Sequence, residues 1–506
     1  MLLLTCALLF IEYGSYLYAV GETLDNVDLK NSIIWGPGLN VDFFVPVRYF
    51  YIQLVNKNGE NFTDSVGEGA VTATIAPISG ARARIWTQVL DRHDGSYVVR
   101  FRPFSSSSDL QISVLMNSHH VAKSPYFLKG DTYHELCNCP QQTSEEWAAS
   151  VGCPATYLQI QHDFEPFSEI DMAKVAKEAV ERFSEKSRHS ICHFKIIKNK
   201  VYRKCYGEHV GFKMFADAIL LSLTRKMVLE DFEFFINLGD WPLENRALKD
   251  GPIPIISWCG SKQTHDIVIP TYDITEGTLE MMGRVSLDIF STQANTGPKW
   301  DNKTEAAFWR GRDSRKERLN LVELSFKYPD LIDARLTNMF FFPKNVTKYG
   351  ELVEHVSIFD FFKYKYQVNI DGTVAAYRFP YLLAGDAVVF KQESDYYEHF
   401  YSELEPYVHY VPIKHDLRDL IEKIRWAQEN DETVKNIAVN GQQFAREHLT
   451  PADILCYHVR VFEQYAKCLK KKPKGIKGFD LVEQPSDKET CSCPSKVPKK
   501  KASDEL

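Results

Sequence analysis

Hydrophobic and polar residues alternate in short runs over the first quarter of the chain and then gather into longer, helix-spaced groups. Within residues 33–129, segments 49–55, 71–75 and 96–101 are rich in β-branched and aromatic side chains. Turn pairs such as Asn58-Gly59 and Asp94-Gly95 separate them. Strands this short at this spacing predict a β-sandwich. Further on, residues 173–186 and 212–227 carry apolar positions at helical spacing, whereas 234–237 and 253–257 read as buried strands. The order then repeats, with a strand at 366–370, a short helix over 375–383, a stop at Gly385 and a strand at 387–390. Alternation of this kind predicts parallel sheets with helices on both faces. Roughly 330 residues are more than one such sheet takes, so two facing α/β halves with a cleft between them are expected. Helices over 417–430 and 431–448 close the second half. From about Lys470 the chain turns rich in Lys, Pro and Ser, the composition of a flexible leash.

Composition narrows the classes. A length of 506 residues with 44% hydrophobic content implies more than one core. The formal charge of −7, with cations dispersed until the tail, excludes the one-sided basic surface of a nucleic-acid binder. Leu2 to Ile11 is apolar but too short to cross a bilayer, and Ala19-Val20-Gly21 offers small residues at cleavage spacing, so 1–21 is expected to be a signal peptide. No later stretch is long and apolar enough to span a membrane. The ending Ser503-Asp504-Glu505-Leu506 differs from the KDEL and HDEL addresses only at Ser503. Together the two ends predict the endoplasmic reticulum lumen, with the retrieval receptor as a partner. Eleven cysteines leave ten once Cys6 is removed, an even number suited to disulfides in that compartment. Cys137-Asn138-Cys139 and Cys491-Ser492-Cys493 lack the spacing of a zinc site. Asn61, Asn302 and Asn345 head N-glycosylation acceptors and are expected at the surface.

Three segments carry candidate chemistry. Residues 308–318 hold four arginines, a lysine and a glycine beside a buried-looking strand. Such a site offers a closely approachable backbone and guanidinium forks for phosphate oxygens. Residues 235–242 place Asp240 just past the carboxyl end of a strand, the edge where open α/β sheets bind ligands. Residues 371–380 run from a glycine turn into a helix carrying Arg378, and a helix N-terminus can hold phosphate or ribose oxygens.

Two resemblances follow from these residues. Asp94 to Pro103 and Val121 to Phe127 resemble the strand signatures of filamin-type immunoglobulin-like repeats. Gly311 with Arg312 and Arg318, Lys365 to Gly372 running into Ala375 to Phe379, and Asn237 to Pro242 resemble the protein O-glucosyltransferases of the CAP10-like glycosyltransferase family, in its KDEL-motif-containing branch. The resemblances imply a multidomain chain. A filamin-type immunoglobulin-like β-sandwich at 24–130 precedes a GT-B type α/β glycosyltransferase at 131–468, with two Rossmann-like halves and a cleft. A basic tail with the retrieval signal follows at 469–506. The implied reaction moves glucose from UDP-glucose to a serine of EGF-like repeats, as in Notch-type receptors and fibrillins, with inversion at the anomeric carbon.

By the same resemblance Asp240 is the general base, which takes the serine proton during attack. Arg318 and Arg378 hold the UDP diphosphate and stabilise its charge as it leaves. Arg312 and Thr373, Val374, Ala375, Ala376 and Tyr377 line the nucleotide pocket, and Asp266 faces the acceptor or sugar. No cofactor and no metal are implied, in keeping with the lack of a D-x-D motif near these segments. Single-domain members read Gly-Ser-Arg-Thr-Ser where this chain has Gly311-Arg312-Asp313-Ser314-Arg315, which puts Asp313 in a cation's place and bears on phosphate contacts. The resemblance also implies that Cys137 or Cys139 pairs with Cys456, with the other pairings open. Two other readings stand beside this one: a lumenal lectin-like or chaperone-like binder without turnover, and the same fold using UDP-xylose.

Overall fold

The computed structural model describes residues 26–140, 142–185, 189–247, 251–280, 288–485, 491 and 493. The expected signal peptide and the residues Ser503, Asp504, Glu505 and Leu506 lie outside them. Described residues fall into two compact units, one of 26–151, 221–228 and the segment from 483, the other of 152–220 and 229–482.

The first unit contains the sandwich that the alternation predicts. One sheet runs in the order Ile33–Trp35, Arg48–Gln53, Ser96–Pro103, Ile85–Asp91; in the other, Val71–Pro77, His119–His120 and Tyr126–Thr132 all pair with Ser107–Met116. Period-two patterning sends Phe50, Ile52, Val99, Phe101, Ile112 and Val114 into one core. The unit runs on past the expected boundary at 130. The buried carboxylate of Glu135 accepts from Arg225 Nη2 and Ser222 Oγ, each at 2.7 Å, and pairs with Lys226. Cys137–Cys491 and Cys139–Cys493 are disulfides beside it.

The second unit holds two sheets. In the first, Phe232–Asn237, Ile255–Ser257 and Ile267–Val268 are parallel, as expected, but Ile191–Ile197 joins Phe232–Asn237 antiparallel, followed by Lys200–Tyr206 and Asp480–Leu481. The sheet is therefore mixed. Its antiparallel part comes from a two-residue hairpin turn in which Lys198 and Asn199 take φ of 52° and 59°, the turn that matches strand twist. Cys192–Cys205 ties the hairpin's facing residues.

The other sheet is wholly parallel, in the order Ile332–Asn338, Thr304–Arg312, Tyr364–Asn369, Val388–Gln392, Val411–Ile413. Its chain order is 2-1-3-4-5, so winding reverses between Thr304–Arg312 and Tyr364–Asn369. The carboxyl ends of those two strands form the switch point at which doubly wound sheets bind ligands. The expected helix over 375–383 begins only at Phe379 and ends at Ala384, before Gly385. Gly372 N donates to Val374 O and Phe379 N to Ala376 O, so 372–377 is a loop, and Pro380 sits in the first turn, where its missing N–H costs nothing.

Cys456 does not reach Cys137 or Cys139. It lies on the helix Pro451–Cys468 and pairs with Cys153 in its own unit, whereas Cys137 and Cys139 find partners in theirs; Cys259 and Cys468 remain thiols. Asn61, Asn302 and Asn345 are all exposed, as glycan acceptors require. Among the described residues no helix is long and apolar enough to cross a membrane.

Candidate active site

A cavity of about 590 Å³ in the second unit brings together residues from both of its sheets. Asp240, Tyr272 and Asp273 line it from the mixed sheet; Arg312, Arg318, Gly372, Thr373, Val374, Ala375, Ala376, Tyr377 and Arg378 line it from the parallel one.

Asp240 follows the strand Phe232–Asn237, whose six residues are all buried. Asn237 shapes the turn beyond it: Gly239 N donates to Asn237 Oδ1 at 2.9 Å, and Asn237 Nδ2 donates to Trp241 O at 2.7 Å. The carboxylate between these anchors has one side-chain contact, from Tyr272 Oη at 3.5 Å. Burial raises the Asp240 pKa above its ordinary 3.8, while the Arg312 charge and the Tyr272 hydroxyl oppose the rise. A carboxylate kept basic and almost free of donors can take a proton.

Asp266, expected on the acceptor or sugar side, is absent from this lining. It is 1% exposed and accepts from Leu243 N and Glu244 N, each at 2.8 Å, and from Ser257 Oγ at 2.6 Å. Its carboxylate is consumed in fastening the loop after Asp240, and burial lifts its pKa to about 6. The same loop is held from outside by Glu244, which receives Arg182 Nη2 at 2.9 and 2.8 Å. Sequence reasoning missed Tyr272 and Asp273. The signal available was their place at the start of the helix Tyr272–Leu279, just past the strand Ile267–Val268 and so at the same sheet edge as Asp240. Burial and the neighbouring charges of Glu276 and Asp240 lift Asp273 to about 6.

The arginine-rich run divides its labour. Arg310 pairs with Asp333, and Arg315 donates to the carbonyls of Gly372 and Thr373 at 2.7 and 3.1 Å. Arg318, 5% exposed on the helix Lys316–Lys327, donates to the carbonyls of Asp371, Ile370 and Arg312 at 2.7, 3.2 and 3.1 Å. Arg378 donates to Arg310 O at 2.6 Å. Among the described residues, neither Arg318 nor Arg378 forms an ion pair with a carboxylate. Burial, with Arg378 adding like charge, lowers Arg318 to about 9, and burial lowers Arg378 to about 10. Asp371 and Asp273 act on these two guanidiniums only through space, so a pair desolvated together without a bonded carboxylate would gain from an anion placed between them.

Gly311 and Gly372 keep the backbone close. A Cβ at Gly311 would meet the Trp309 ring at 2.6 Å, and one at Gly372 would crowd Arg318 at 3.1 Å. Asp313 has no part in phosphate contact. It is fully buried and accepts from the backbone N–H groups of Phe340, Phe341 and Phe342 at 2.8, 2.9 and 2.8 Å, so the acidic departure in the motif pins the loop that brings Phe340 to the cavity wall.

One cavity thus holds a carboxylate with a single long side-chain contact among the described residues and two buried guanidiniums, at the carboxyl ends of strands in two sheets, where α/β proteins bind ligands. Comparison with known proteins is specific. Residues 148–505 match Glycosyl transferase family 90, and residues 26–127 match the Filamin/ABP280 repeat. The chain is 53% identical over 478 residues to Protein O-glucosyltransferase 2 of Danio rerio, covering 94% of each chain. It is 49% identical over 490 residues to Protein O-glucosyltransferase 3 of Homo sapiens, covering 95% of this chain and 96% of that one. Protein O-glucosyltransferase 1 of Homo sapiens is 31% identical over 357 residues, covering 67% and 86%. The chain belongs to glycosyl transferase family 90, with a filamin repeat in front, and the resemblance read from its motifs is borne out.

Proposed function

We propose that this chain transfers glucose from UDP-glucose to a serine hydroxyl of EGF-like repeats, with inversion and without a metal. The observation that carries the reading is the cavity in which Asp240 stands opposite Arg318 and Arg378, two guanidiniums that have carbonyl partners but no carboxylate. The UDP diphosphate lies against Arg318 and Arg378, with Arg312 at the mouth and Thr373 to Tyr377 along the nucleotide. Asp240 removes the serine proton as the oxygen attacks the anomeric carbon from the face opposite the diphosphate. The C–O bond to phosphate breaks as the new one forms, and its electrons pass to the diphosphate, which the arginines stabilise. One displacement inverts the α-linkage to β and needs no covalent intermediate.

The two sheets with a cleft between them support a GT-B arrangement, with the parallel sheet as the donor half. Trp241 and Phe340, 57% and 67% exposed beside the site, are apolar surface suited to a protein acceptor. Four disulfides and three exposed glycan acceptors fit the endoplasmic reticulum lumen. Asp240 and the serine supply proton transfer and nucleophile, so no cofactor enters the reaction. The test is mass spectrometry of a folded EGF-like repeat incubated with the purified chain and, separately, UDP-glucose and UDP-xylose. One added hexose on a serine with UDP-glucose is expected. No product with any UDP-sugar would sink the reading.

A further inference from the structure

The second unit holds another cavity, of about 230 Å³, whose lining shares no residue with the site above. Its walls come from the segment around Tyr157, from His399 to Glu403, and from the ends of the helices Asp431–His448 and Pro451–Cys468, next to the Cys153–Cys456 disulfide.

Polar atoms in this wall lack partners. His399 and Tyr457 are 3% and 2% exposed, yet His399 Nδ1 and the phenol oxygens of Tyr457 and Tyr157 make no hydrogen bond among the described residues. Buried polar atoms are nearly always satisfied, so three orphans on residues that line one cavity call for a partner. Three carboxylates share the wall: Asp453, Glu403 and Glu447. Asp453 spends Oδ2 on Thr450 N and Oγ1, while the ion-pair contact of Glu403 among the described residues is His448 Nδ1, at 3.8 Å. Among the described residues no lysine or arginine lines the cavity.

All of these groups can accept: carboxylate oxygens, phenol oxygens and the imidazole nitrogen of a suitable tautomer. Aromatic faces complete the wall. Tyr157 and Tyr457 have centroids 4.8 Å apart, His399 lies 4.9 Å from Tyr457, and Phe400 adjoins them. Three carboxylates, further acceptors and ring faces, with His448 as the one group in the lining able to carry positive charge near neutral pH, are the chemistry that recognises an organic cation. The volume suits a lysine or arginine side chain and is below that of a drug-sized pocket.

The geometry points to a second binding site, specific for an ammonium or guanidinium group, presented by a free amine or by a basic residue of a protein. Asp453 and Glu403 take its charge, and the Tyr157 and Tyr457 rings and hydroxyls take its body. The site is separate from the transfer chemistry, so occupying it need not displace the donor.

The experiment uses the full chain and ligand-observed NMR with agmatine, with a short peptide carrying one arginine, and with glucose as a neutral control. Saturable binding of agmatine or of the peptide is expected, weakening at least tenfold in Glu403→Gln and in Tyr157→Phe, with UDP affinity unchanged. Binding of agmatine alone assigns a free amine; tighter binding of the peptide assigns a protein side chain. Should Glu403→Gln fail to fold, Tyr157→Phe decides by itself. The proposal is overturned by the absence of saturable binding for both cations, by equal affinity in the folded variants, or by glucose binding in their place.

Discussion

The two sides of the cleft restrain their key residues in opposite ways. On the mixed-sheet side Asp240 is left with a single long contact, and the restraint is passed to its neighbours: Asn237 before it, and the loop 241–244 pinned by Asp266 after it. On the parallel-sheet side Arg318 is itself held, by three backbone carbonyls and the Ser314 hydroxyl. The contrast suits the roles proposed for the two groups. A base tied by donors loses basicity, so it has to be positioned from a distance. A guanidinium has five N–H groups and can give several to carbonyls while keeping its whole charge for a ligand.

The contrast can be tested by breaking it. Asp240→Asn keeps shape and removes the base; transfer is expected to fall by about 10²–10⁴, measured as initial rate with acceptor and donor saturating. Arg318→Met removes charge at the leaving group and is expected to lower kcat by about 10²–10³. Arg318→Lys should not restore it, since an ammonium cannot reach the three carbonyls as a fork does. Asp266→Asn tests restraint from a distance. It halves the acceptors available to Leu243 and Glu244, costs about 1–3 kcal/mol in a denaturant titration, and slows transfer without weakening UDP binding.

Phe340→Ala should raise the acceptor KM, a loss of about 1–2 kcal/mol of binding, while hydrolysis of the donor is unchanged. The smallest effect is with pH. In the proposed reaction Asp240 acts as the carboxylate, and burial places its pKa above 3.8, so the rate is expected to fall on acidification through that raised value. The acid limb of the pH–rate profile then lies above the ordinary aspartate range, and it disappears from the residual rate of Asp240→Asn.

Much of this was legible in the chain. The strand ending at Asn237 showed through the apolar run Phe234-Phe235-Ile236, because both faces of a central strand are buried. Its position before Gly239-Asp240 gave the carboxylate, and the motif resemblance gave Arg318 and Arg378. Contacts between distant segments were not legible. Asp266 has the residue type and neighbourhood of a site residue, and only the fold reveals that its oxygens are spent on N–H groups 22 and 23 positions earlier. Asp313 is similar: a carboxylate amid arginines suggests charge balance, but it meets three N–H groups 27 to 29 residues on. The antiparallel half of the first sheet was hidden because a buried strand such as Ile191–Ile197 carries no mark of its direction, and its hairpin turns at Lys198-Asn199 without a glycine to signal it. Cys153 carried no spacing signal at all, since its partner lies 303 residues away.

The most direct test of a free base facing fixed cations is one paired measurement, UDP affinity and glucosyl transfer in the wild type, Asp240→Asn and Arg318→Met. The structure predicts that Asp240→Asn binds UDP as the wild type does and transfers almost nothing, whereas Arg318→Met loses UDP affinity along with transfer. Transfer retained in Asp240→Asn, or UDP affinity lost there and kept in Arg318→Met, would contradict it.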